Sequence, residues 1–327
     1  MAEAAAIVRP AAPARPGRFG FSRAQAIGLL VMLALIVAAP QILYPIFVMK
    51  VLCFALFACA FNLLIGYVGL LSFGHAAYFG MGSYIAAWTA KYWGFDPALA
   101  ILAGGLVGAA LGSAFGALSI RRQGLKFAMI TLALAQLAYF FCVQAPFTHG
   151  ESGIQQVPRG TLFGVLPLGA DMTMYWVTAA IFVIFFLALH RTVHSPFGQV
   201  LKAIRENEPR AVSLGYFTDR YKLLAFVISC AVAGIAGGTK AIVFGLATLT
   251  DVHWTMSGEV VLMALLGGMG TIFGPVVGAL IVIAMENYLA QFGNWVTVTQ
   301  GVIFVVCVLA FRRGVVGEIA AWLRVSL

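Results

Sequence analysis

A succession of long apolar windows constrains the fold of this chain more than any other feature of its sequence. A helix that crosses a bilayer needs about 20 mostly apolar residues, at a rise of about 1.5 Å per residue. Because 62% of the residues are hydrophobic and only 9% are charged, a single water-soluble core would leave large apolar patches exposed. Strand-like alternation of the barrel kind is absent. The sequence therefore predicts an all-α polytopic integral membrane protein.

We predict about ten transmembrane segments. They cover residues 24–43, 46–65, 68–90, 97–120, 127–143, 174–189, 223–244, 256–268, 271–290 and 295–311. Glycine crowds the third segment and the eighth, so each is predicted either as a full span or as a broken or re-entrant helix. The domain division is a lead at 1–23, a transmembrane domain at 24–311 with a charged loop at 190–222, and a tail at 312–327.

Basic residues predict the orientation of the chain. With the N-terminus in the cytoplasm, all of the 20 Lys and Arg residues lie on the cytoplasmic side except Lys50, Lys91, Arg159 and Lys240. This asymmetry follows the positive-inside rule, and ten crossings return the C-terminus to the same side. The net charge of +9 then reflects topology and anionic lipid headgroups, and it does not indicate nucleic-acid binding.

The ends and the longest outer loop leave alternatives open. The lead, rich in Ala, Pro and Arg, is predicted to be a disordered basic cytoplasmic segment. A signal peptide with 24–39 as its apolar region is the competing interpretation. The outer loop at 144–171 contains several glycines and prolines, which favour an ordered loop or short helix, with a flexible connection as the alternative.

Motifs for catalysis and metal binding are missing from the sequence. All five cysteines lie inside predicted spans without a CxxC pair or a histidine cluster, so we expect no metal site and no disulfide framework. No phosphate-binding GxxxxGK[ST] loop occurs, so the chain cannot hydrolyse a nucleotide by that route. Ser72 and His75 have no acidic third partner nearby. We therefore predict a protein that is not an enzyme and binds no cofactor itself.

The charged loop at 190–222 is organised as two short helices. Ser195 is a capping residue and Pro196 a preferred first helical residue. Apolar residues then recur on one helical face and charged residues on the other: Phe197, Val200, Leu201 and Ile204 against Lys202, Arg205 and Glu206.

Proline and glycine set the ends of these two helices. Pro209 disfavours helical geometry at Glu208, so the first helix should stop near Asn207 and the second should run from Pro209 to Gly215. The two helices form a compact cytoplasmic knob. An ordinary charged loop remains the alternative on these grounds alone.

Three separated motifs carry a family resemblance. They are FNLLIGYVGLLSFGHAAYFGMGSY, SPFGQVLKAIRENEPRAVSLGYFTDRYKLLAFVISCAVAGIAGG and LLGGMGTIFGPVVGA. Together, over residues 61–290, they resemble the LivM-type permease subunit of branched-chain amino acid ABC importers. The lead and the final residues add nothing to this resemblance.

The resemblance implies a set of partners in the bacterial inner membrane. They are a LivH-type second permease subunit, two cytoplasmic ABC ATPase subunits that bind ATP, and a periplasmic substrate-binding protein. It also implies that the knob docks in a groove of the ATPase as a coupling element. The residues expected there are Gly198, Val200, Leu201, Lys202, Ala203, Ile204, Arg205, Glu206, Asn207, Glu208, Ala211, Leu214 and Gly215.

One departure limits what is transferred from the wider importer superfamily. The general signature reads E-A-A-x-x-x-G, whereas here Pro209 and Arg210 separate Glu208 from Ala211, and Gly215 follows seven positions after Glu208. Contacts are therefore not transferred one for one. Exposed ion pairs are weak, so the charged residues would set register while Val200, Leu201 and Ile204 hold the knob to the membrane domain.

The glycine-interrupted segments predict the transport path. Ten segments divide into two sets of five, which would make an inverted 5+5 repeat, and the interrupted segments 66–84 and 257–278 begin at the third position of each set. The candidate path residues are Gly66, Gly69, Ser72, Gly74, His75, Glu259, Gly267, Gly268 and Gly270. The alternative for each glycine is tight helix packing.

Few ionisable residues lie in the predicted spans. Lys240, Glu259 and Glu286 lie toward the outer side, where a solvated mouth or a Lys240–Glu259 pair would explain them. His75 lies nearer mid-span, where a neutral imidazole bonded to backbone is the simpler interpretation. Apolar walls would suit a branched aliphatic substrate as well as charges would.

The leading function is therefore a permease subunit that moves branched-chain amino acids into the cytoplasm. A permease of the same family for urea, short amides or other small polar or aromatic solutes is one alternative. An ATP-independent secondary transporter or channel is another, and it predicts more central carboxylates than are present. A membrane anchor without transport does not need two glycine-interrupted spans.

Overall fold

The computed structural model describes residues 23–162, 164, 166–289, 298, 301–302, 304–306 and 314–322. Most of the predicted lead at 1–23 and most of the tenth predicted segment at 295–311 lie outside the described residues. The same holds for residues 312–313 and 323–327 of the predicted tail.

Helices make up most of the described chain. They are α1 (Arg23–Ile42), α2 (Pro45–Asn62), α3 (His75–Tyr92), α4 (Pro97–Ser119), α5 (Leu125–Gln144), α6 (Asp171–His194), α7 (Pro196–Glu206), α8 (Glu208–Ser213), α9 (Thr218–Phe244), α10 (Trp254–Gly267), α11 (Gly274–Leu289) and α12 (Gly314–Trp322). A π-helical turn, Leu63–Val68, extends α2. Short 3₁₀ turns lie at Pro146–Thr148, Gly150–Ser152 and Leu249–Asp251.

In the described part of the chain, six helices are long and apolar enough to cross a membrane. They are α1, α2 with its π-helical turn, α4, α5, α6 and α9, and α10 and α11 are shorter apolar helices. These helices confirm the predicted all-α polytopic membrane protein. The count of ten segments and the side of each terminus stay predictions.

Several predicted segment bounds are wrong. The third segment was expected from residue 68, but α3 begins only at His75. Helix α6 continues to His194 and α9 already begins at Thr218, so both helices extend into the charged segment 190–222. Hydropathy marks the apolar part of a helix, whereas the backbone stays helical where polar residues continue beyond the bilayer.

Helices α2 and α9 form the centre of the bundle. Nearly all of α2 and most of α9 are buried by other helices, whereas α1 is largely exposed along its apolar surface. Lipid tails are as apolar as leucine, so close packing rather than burial from water holds such helices together. Accordingly, α3, α4 and α9 meet through glycines, where the backbones approach closely at Gly82, Gly104 and Gly234.

Replacing Gly234 by alanine should lower the thermal stability of the purified protein. The added Cβ would lie 2.5 Å from the carbonyl oxygen of Gly104, a backbone atom that cannot rotate away. Overpacking of this kind costs about 1–3 kcal/mol. The matched control is Gly258→Ala in α10, where a Cβ meets no atom of the described residues within 4 Å. Thermal unfolding in detergent, followed by tryptophan fluorescence, should separate the two variants, and equal melting temperatures would contradict the packing argument.

The connection between α5 and α6 is largely ordered, as one of the two interpretations of the sequence expects. Strand β1 (Ile154–Gln155) pairs antiparallel with β4 (Leu246–Ala247), which follows α9, and β2 (Thr161–Leu162) pairs with β3 (Leu166–Pro167). Arg159 donates to the carbonyl oxygen of Val243 at 2.9 Å and binds Asp171 at 2.6 Å. These contacts hold the loop across the ends of α6 and α9.

Helices α3 and α10 both begin inside the bundle. Nε2 of His75, the first residue of α3, lies 3.0 Å from Oγ of Ser229 in the middle of α9. The backbone N–H of Ala76 donates to Oγ of Ser257 in the first turn of α10 at 2.8 Å. Segments without α-helix, 69–74 and 245–253, lead from the ends of α2 and α9 into these two starts.

This arrangement changes how the two predicted breaks relate to each other. In an inverted repeat, the segment 69–74 before α3 corresponds in position to the segment 245–253 before α10, because α2 and α9 run in opposite directions. The glycine turn at 268–273 follows α10 instead of preceding it, so it is not the counterpart of 69–74. The pairing of segments 66–84 and 257–278 stays a prediction, with the glycine-rich break before α3 in the first segment and after α10 in the second, because glycine content alone does not show on which side of a helix the chain breaks. The 5+5 repeat itself stays a prediction.

Candidate functional site

The knob consists of α7 and α8, and its helix ends lie close to where the sequence predicts them. Oγ of Ser195 accepts from the backbone N–H of Gly198 at 3.4 Å, and Oδ1 of Asn207 accepts from that of Arg210 at 3.0 Å. Each is a side-chain cap of a helix N-terminus. Glu208 is already helical and Pro209 occupies the second position, so α8 begins one residue earlier than expected. Gly215 follows with φ of 88°, a left-handed conformation that glycine adopts without strain.

The apolar face of α7 packs on the membrane domain. Leu201 and Ile204 are buried, and Phe197 and Val200 are partly buried. Ala203 is exposed, while Nζ of Lys202 lies 5.7 Å from the ring centroid of Tyr67. The amphipathic pattern in the sequence therefore identified the correct face of the helix.

Glu208 anchors α8 to two other elements. Its carboxylate forms an ion pair with Lys222 of α9, whose side chain is 2% exposed, and accepts from Nε2 of Gln123 at 2.7 Å. Glu208 was expected to set register against an ATPase surface. In this structure its carboxylate is committed to contacts within the chain, which spacing in the sequence could not show.

Arg205 connects the knob to the end of α2. Its guanidinium donates to the carbonyl oxygen of Gly66 in the π-helical turn. The aliphatic part of the same side chain lies against Gly69, where a Cβ would come 3.1 Å from Cγ of Arg205. A carbonyl oxygen in a π-helical turn is available to such a donor because the regular helical bonding pattern is interrupted there. Arg205 thus contacts the chain where α2 breaks.

Asn62 connects the same turn to the glycine turn between α10 and α11. Its Nδ2 donates to the carbonyl oxygen of Thr271 at 2.9 Å, and its Oδ1 accepts from the backbone N–H of Gly270 at 3.0 Å. Gly66 lies directly against Gly270, since a Cβ on Gly66 would lie 2.7 Å from that N–H nitrogen. The sequence analysis missed Asn62, although a lone amide next to a glycine-rich stretch in an apolar span is an available signal.

We call this arrangement of Asn62, Gly66, Arg205 and Gly270 the junction. A cavity of about 560 Å³ lies beside it, between the knob, α1 and α6. The polar residues Gln25, His194, Lys202 and Glu206 line the cavity together with Arg205. The junction therefore combines interrupted backbone with a polar, accessible space at the knob end of the bundle.

The remaining predicted path residues, apart from Glu259, lie in two places. Gly267 and Gly268 belong to the turn between α10 and α11, where a Cβ on Gly267 would come 1.8 Å from the carbonyl oxygen of Gly274. Ser72 and Gly74 lie in the segment before α3, and His75 is the first residue of α3. Oγ of Ser72 accepts from the backbone N–H of Gly74 at 3.2 Å. Their role as path residues stays a prediction.

His75 is fully buried among aromatic rings. The ring centroids of Phe61, Tyr78 and Phe226 lie 5.1, 5.7 and 6.1 Å from that of the imidazole. Nε2 of the imidazole contacts the Ser229 hydroxyl, which itself donates to the carbonyl oxygen of Ala60. The imidazole thus joins α3, α9 and α2 at the depth where α3 begins.

Charged residues gather at the other end of the bundle. Lys240 binds both oxygens of Asp251 at 2.9 and 2.8 Å, and Lys50 binds Glu286 at 3.0 Å. The predicted Lys240–Glu259 pair is therefore wrong, because the 3₁₀ turn before α10 brings Asp251 back to Lys240. Among the described residues, no group of three His, Cys, Asp or Glu side chains could hold a metal ion.

Comparison with known families classifies the chain. A family profile described as the permease component of a branched-chain amino acid transport system matches residues 43–311. The chain belongs to this family. This match confirms the resemblance to LivM-type permeases. It also confirms the expectation of a multi-pass membrane protein.

Three relatives of this chain illustrate the family. The high-affinity branched-chain amino acid transport system permease protein LivM of Salmonella typhimurium is 27% identical over 276 residues, covering 77% of this chain and 65% of the relative. The corresponding LivH protein of Escherichia coli is 26% identical over 287 residues, covering 81% and 91%. The autoinducer 2 import system permease protein LsrC of Klebsiella pneumoniae is 27% identical over 194 residues, covering 56% and 53%. The chain thus spans about 65% of the length of the LivM relatives, and no solved structure matches it.

Proposed function

We propose that this permease is the membrane subunit of an ATP-driven ABC importer that carries branched-chain amino acids into the cytoplasm. The names of the LivM and LivH relatives support this substrate class. The sequence contains no phosphate-binding loop, so ATP would bind to separate cytoplasmic ATPase subunits. A LivH-type permease and a periplasmic binding protein would complete the complex in the bacterial inner membrane.

The single observation that carries the coupling mechanism is the bond from Arg205 to Gly66. It joins the knob, which lies outside the apolar bundle, to the interrupted backbone at the junction. A rigid knob that is pushed or pulled by a partner would therefore move the end of α2 and the α10–α11 turn directly. Coupling between sites requires such a contiguous set of contacts with two discrete arrangements.

The outer surface of the knob supports a partner at this position. Val212 of α8, Leu214 directly after α8, and Phe217 are 55%, 68% and 69% exposed. They lie at the end of the bundle where basic residues predict the cytoplasm, so lipid tails do not cover them. Exposed apolar side chains grouped outside the membrane indicate a protein-binding surface. An ATPase groove is the occupant that the family resemblance implies.

Reconstitution tests the proposed function. Proteoliposomes would contain this permease, a LivH-type permease and the ATPases, with ATP inside the cytoplasmic compartment and leucine-loaded binding protein on the opposite side. We expect leucine uptake only when ATP and every component are present. Uptake by this chain alone, driven by a proton or sodium gradient, would instead support the secondary transporter and contradict the proposal.

Substrate class is tested in the same preparation. The LsrC relative shows that proteins similar to this chain serve an import system for a different solute. Competition by unlabelled leucine, isoleucine and valine should abolish uptake, whereas excess urea, acetamide and phenylalanine should leave it unchanged. Inhibition by urea or acetamide with none by valine would move the assignment to the alternative substrates.

A further inference from the structure

A second cavity, of about 440 Å³, lies between α2, α9, α10 and α11. Five of its lining residues are ionisable: Lys50, Lys240, Asp251, Glu259 and Glu286. This is the size of a small-molecule site, and charged groups in the membrane interior are costly unless they have a function or a partner.

Lys240 and Asp251 satisfy each other by contacts within the chain. Nζ of Lys240 contacts both carboxylate oxygens, and the backbone N–H of Thr248 donates to Oδ2 of Asp251 at 3.2 Å. Both side chains are almost completely buried. Their charges cancel, and both carboxylate oxygens of Asp251 already accept hydrogen bonds. This pair therefore stabilises the start of α10 and is not available to a ligand.

The remaining three charges do not cancel. Among the described residues, Lys50 forms one salt bridge, to Oε2 of Glu286, and its side chain is 36% exposed. Glu259 lines the same cavity as Glu286, and no Lys or Arg of the described residues lies within salt-bridge distance of it. One lysine thus serves two carboxyl groups, so a cationic group that enters the cavity would give the second carboxyl group a basic partner.

Glu259 lies nearer the junction along its helix than Lys50 and Glu286 do along theirs. Lys50 precedes Asn62 by twelve positions in α2, and Glu286 follows Gly274 by twelve positions in α11. At about 1.5 Å per residue, each lies roughly 18 Å from the junction end of its helix. Glu259 precedes Gly268 by nine positions, so it lies roughly 13 Å from the junction. The backbone of Glu259 therefore lies deeper in the bundle than that of Lys50 or Glu286, on the side toward the junction.

Apolar walls complete the site. Phe54, Phe244 and Met256 line the same cavity beside the charged residues. A ligand that matches this surface has an ammonium group for Glu259 and Glu286, a carboxylate within reach of Lys50, and an aliphatic side chain for the walls. Phe54 also lies below Lys50, with Nζ 5.8 Å from its ring centroid.

We infer that Glu259, Glu286 and Lys50 form a substrate site within the membrane domain that binds the zwitterionic head of an aliphatic α-amino acid, with its ammonium group at Glu259. This inference rests on the proposed function, which supplies the class of substrate, and adds to it a binding site on this chain. The site binds weakly, because a solute in transit must also leave.

Saturation-transfer NMR on the full chain in nanodiscs tests this site with three probes of one carbon skeleton. They are leucine, isoamylamine, which lacks the carboxylate, and 4-methylpentanoate, which lacks the ammonium. We expect leucine to bind best, isoamylamine to compete with it and 4-methylpentanoate to compete least. Glu259→Gln should raise the apparent Kd for leucine and isoamylamine by about tenfold or more, as expected when a charged hydrogen bond is lost.

Two further variants keep the result interpretable. Glu259→Asp retains the charge and should recover most of the leucine affinity, which a variant that had merely misfolded would not predict. Glu151→Gln removes one carboxylate from the exposed 3₁₀ turn of the outer loop and should bind leucine as the unaltered chain does. Leucine binding that is absent in the unaltered chain, or unchanged within twofold in Glu259→Gln, would overturn the inference.

The two proposals fail in different ways. If the reconstituted complex shows no ATP-driven leucine uptake while leucine binding depends on Glu259, the proposed function fails and the site stands. If uptake is ATP-driven and Glu259→Gln transports leucine at the unaltered rate, the function stands and the site is wrong.

Discussion

Reversing the charge of Arg205 is expected to abolish ATP-driven uptake while the complex still assembles and hydrolyses ATP. In Arg205→Glu, the donor to the carbonyl oxygen of Gly66 is lost and a carboxylate faces that oxygen instead. A charged hydrogen bond is worth about 1.5–3 kcal/mol, and about 1.4 kcal/mol corresponds to a factor of ten. We therefore expect uptake to fall by about tenfold or more, with ATP hydrolysis largely uncoupled from it.

Three variants distinguish this mechanism from a general charge effect. Arg122→Glu reverses an exposed arginine in the turn between α4 and α5 and should leave uptake unchanged. Arg205→Lys keeps the charge but not the planar guanidinium, so it should recover only part of the uptake. Asn62→Ala removes the other link of the junction and should reproduce the uncoupling.

A substitution of Glu206 distinguishes two roles of the knob, contact with an ATPase surface and the bond to Gly66. Glu206 is exposed and lines the cavity beside the junction. If Glu206→Lys uncouples as strongly as Arg205→Glu, contact with the ATPase surface decides the effect. If only Arg205→Glu uncouples, the bond to Gly66 decides it. Uptake and ATP hydrolysis measured in the same proteoliposomes give the answer, and full uptake by Arg205→Glu would defeat the coupling mechanism.

Breaking the Lys240–Asp251 pair is expected to give the largest loss of stability from one substitution. Asp251 and Lys240 side chains are 3% and 10% exposed, so Asp251→Asn would leave a buried ammonium group without its counter-charge. Removing one partner of a buried pair costs about 3–5 kcal/mol. The melting temperature of the purified protein should fall well below that of Asp171→Asn, because the Arg159–Asp171 pair is half-exposed and worth about 0–1 kcal/mol.

A double substitution checks the cause of that loss. Lys240→Met with Asp251→Leu removes both charges, and apolar replacement of a buried pair is often close to neutral. The double variant should therefore be more stable than Asp251→Asn alone, as measured by thermal unfolding in the same detergent. If it is less stable than the single variant, the pair contributes through geometry at the start of α10 more than through charge.

Local patterns predicted the knob well because its signals act over a few residues. The Ser195 cap, the apolar face with Leu201 and Ile204, and Gly215 at the end of α8 all follow from short-range backbone chemistry. The same reasoning placed Arg205 and Glu208 on an outward, partner-facing surface. Both instead bind groups that are distant in the sequence, Gly66 and Lys222, which no local pattern encodes.

The sequence by itself determined the membrane class, the positions of most apolar helices and the existence of a capped, amphipathic knob. These follow from hydropathy and helix-end chemistry, which depend only on neighbouring residues. Only the tertiary structure decided that Asn62 and Arg205 join α2 to the α10–α11 turn, and that Lys240 pairs with Asp251 and not Glu259. The physical reason is that a side chain in a bilayer must find its partner among whichever helices pack beside it, and packing is a property of the whole bundle.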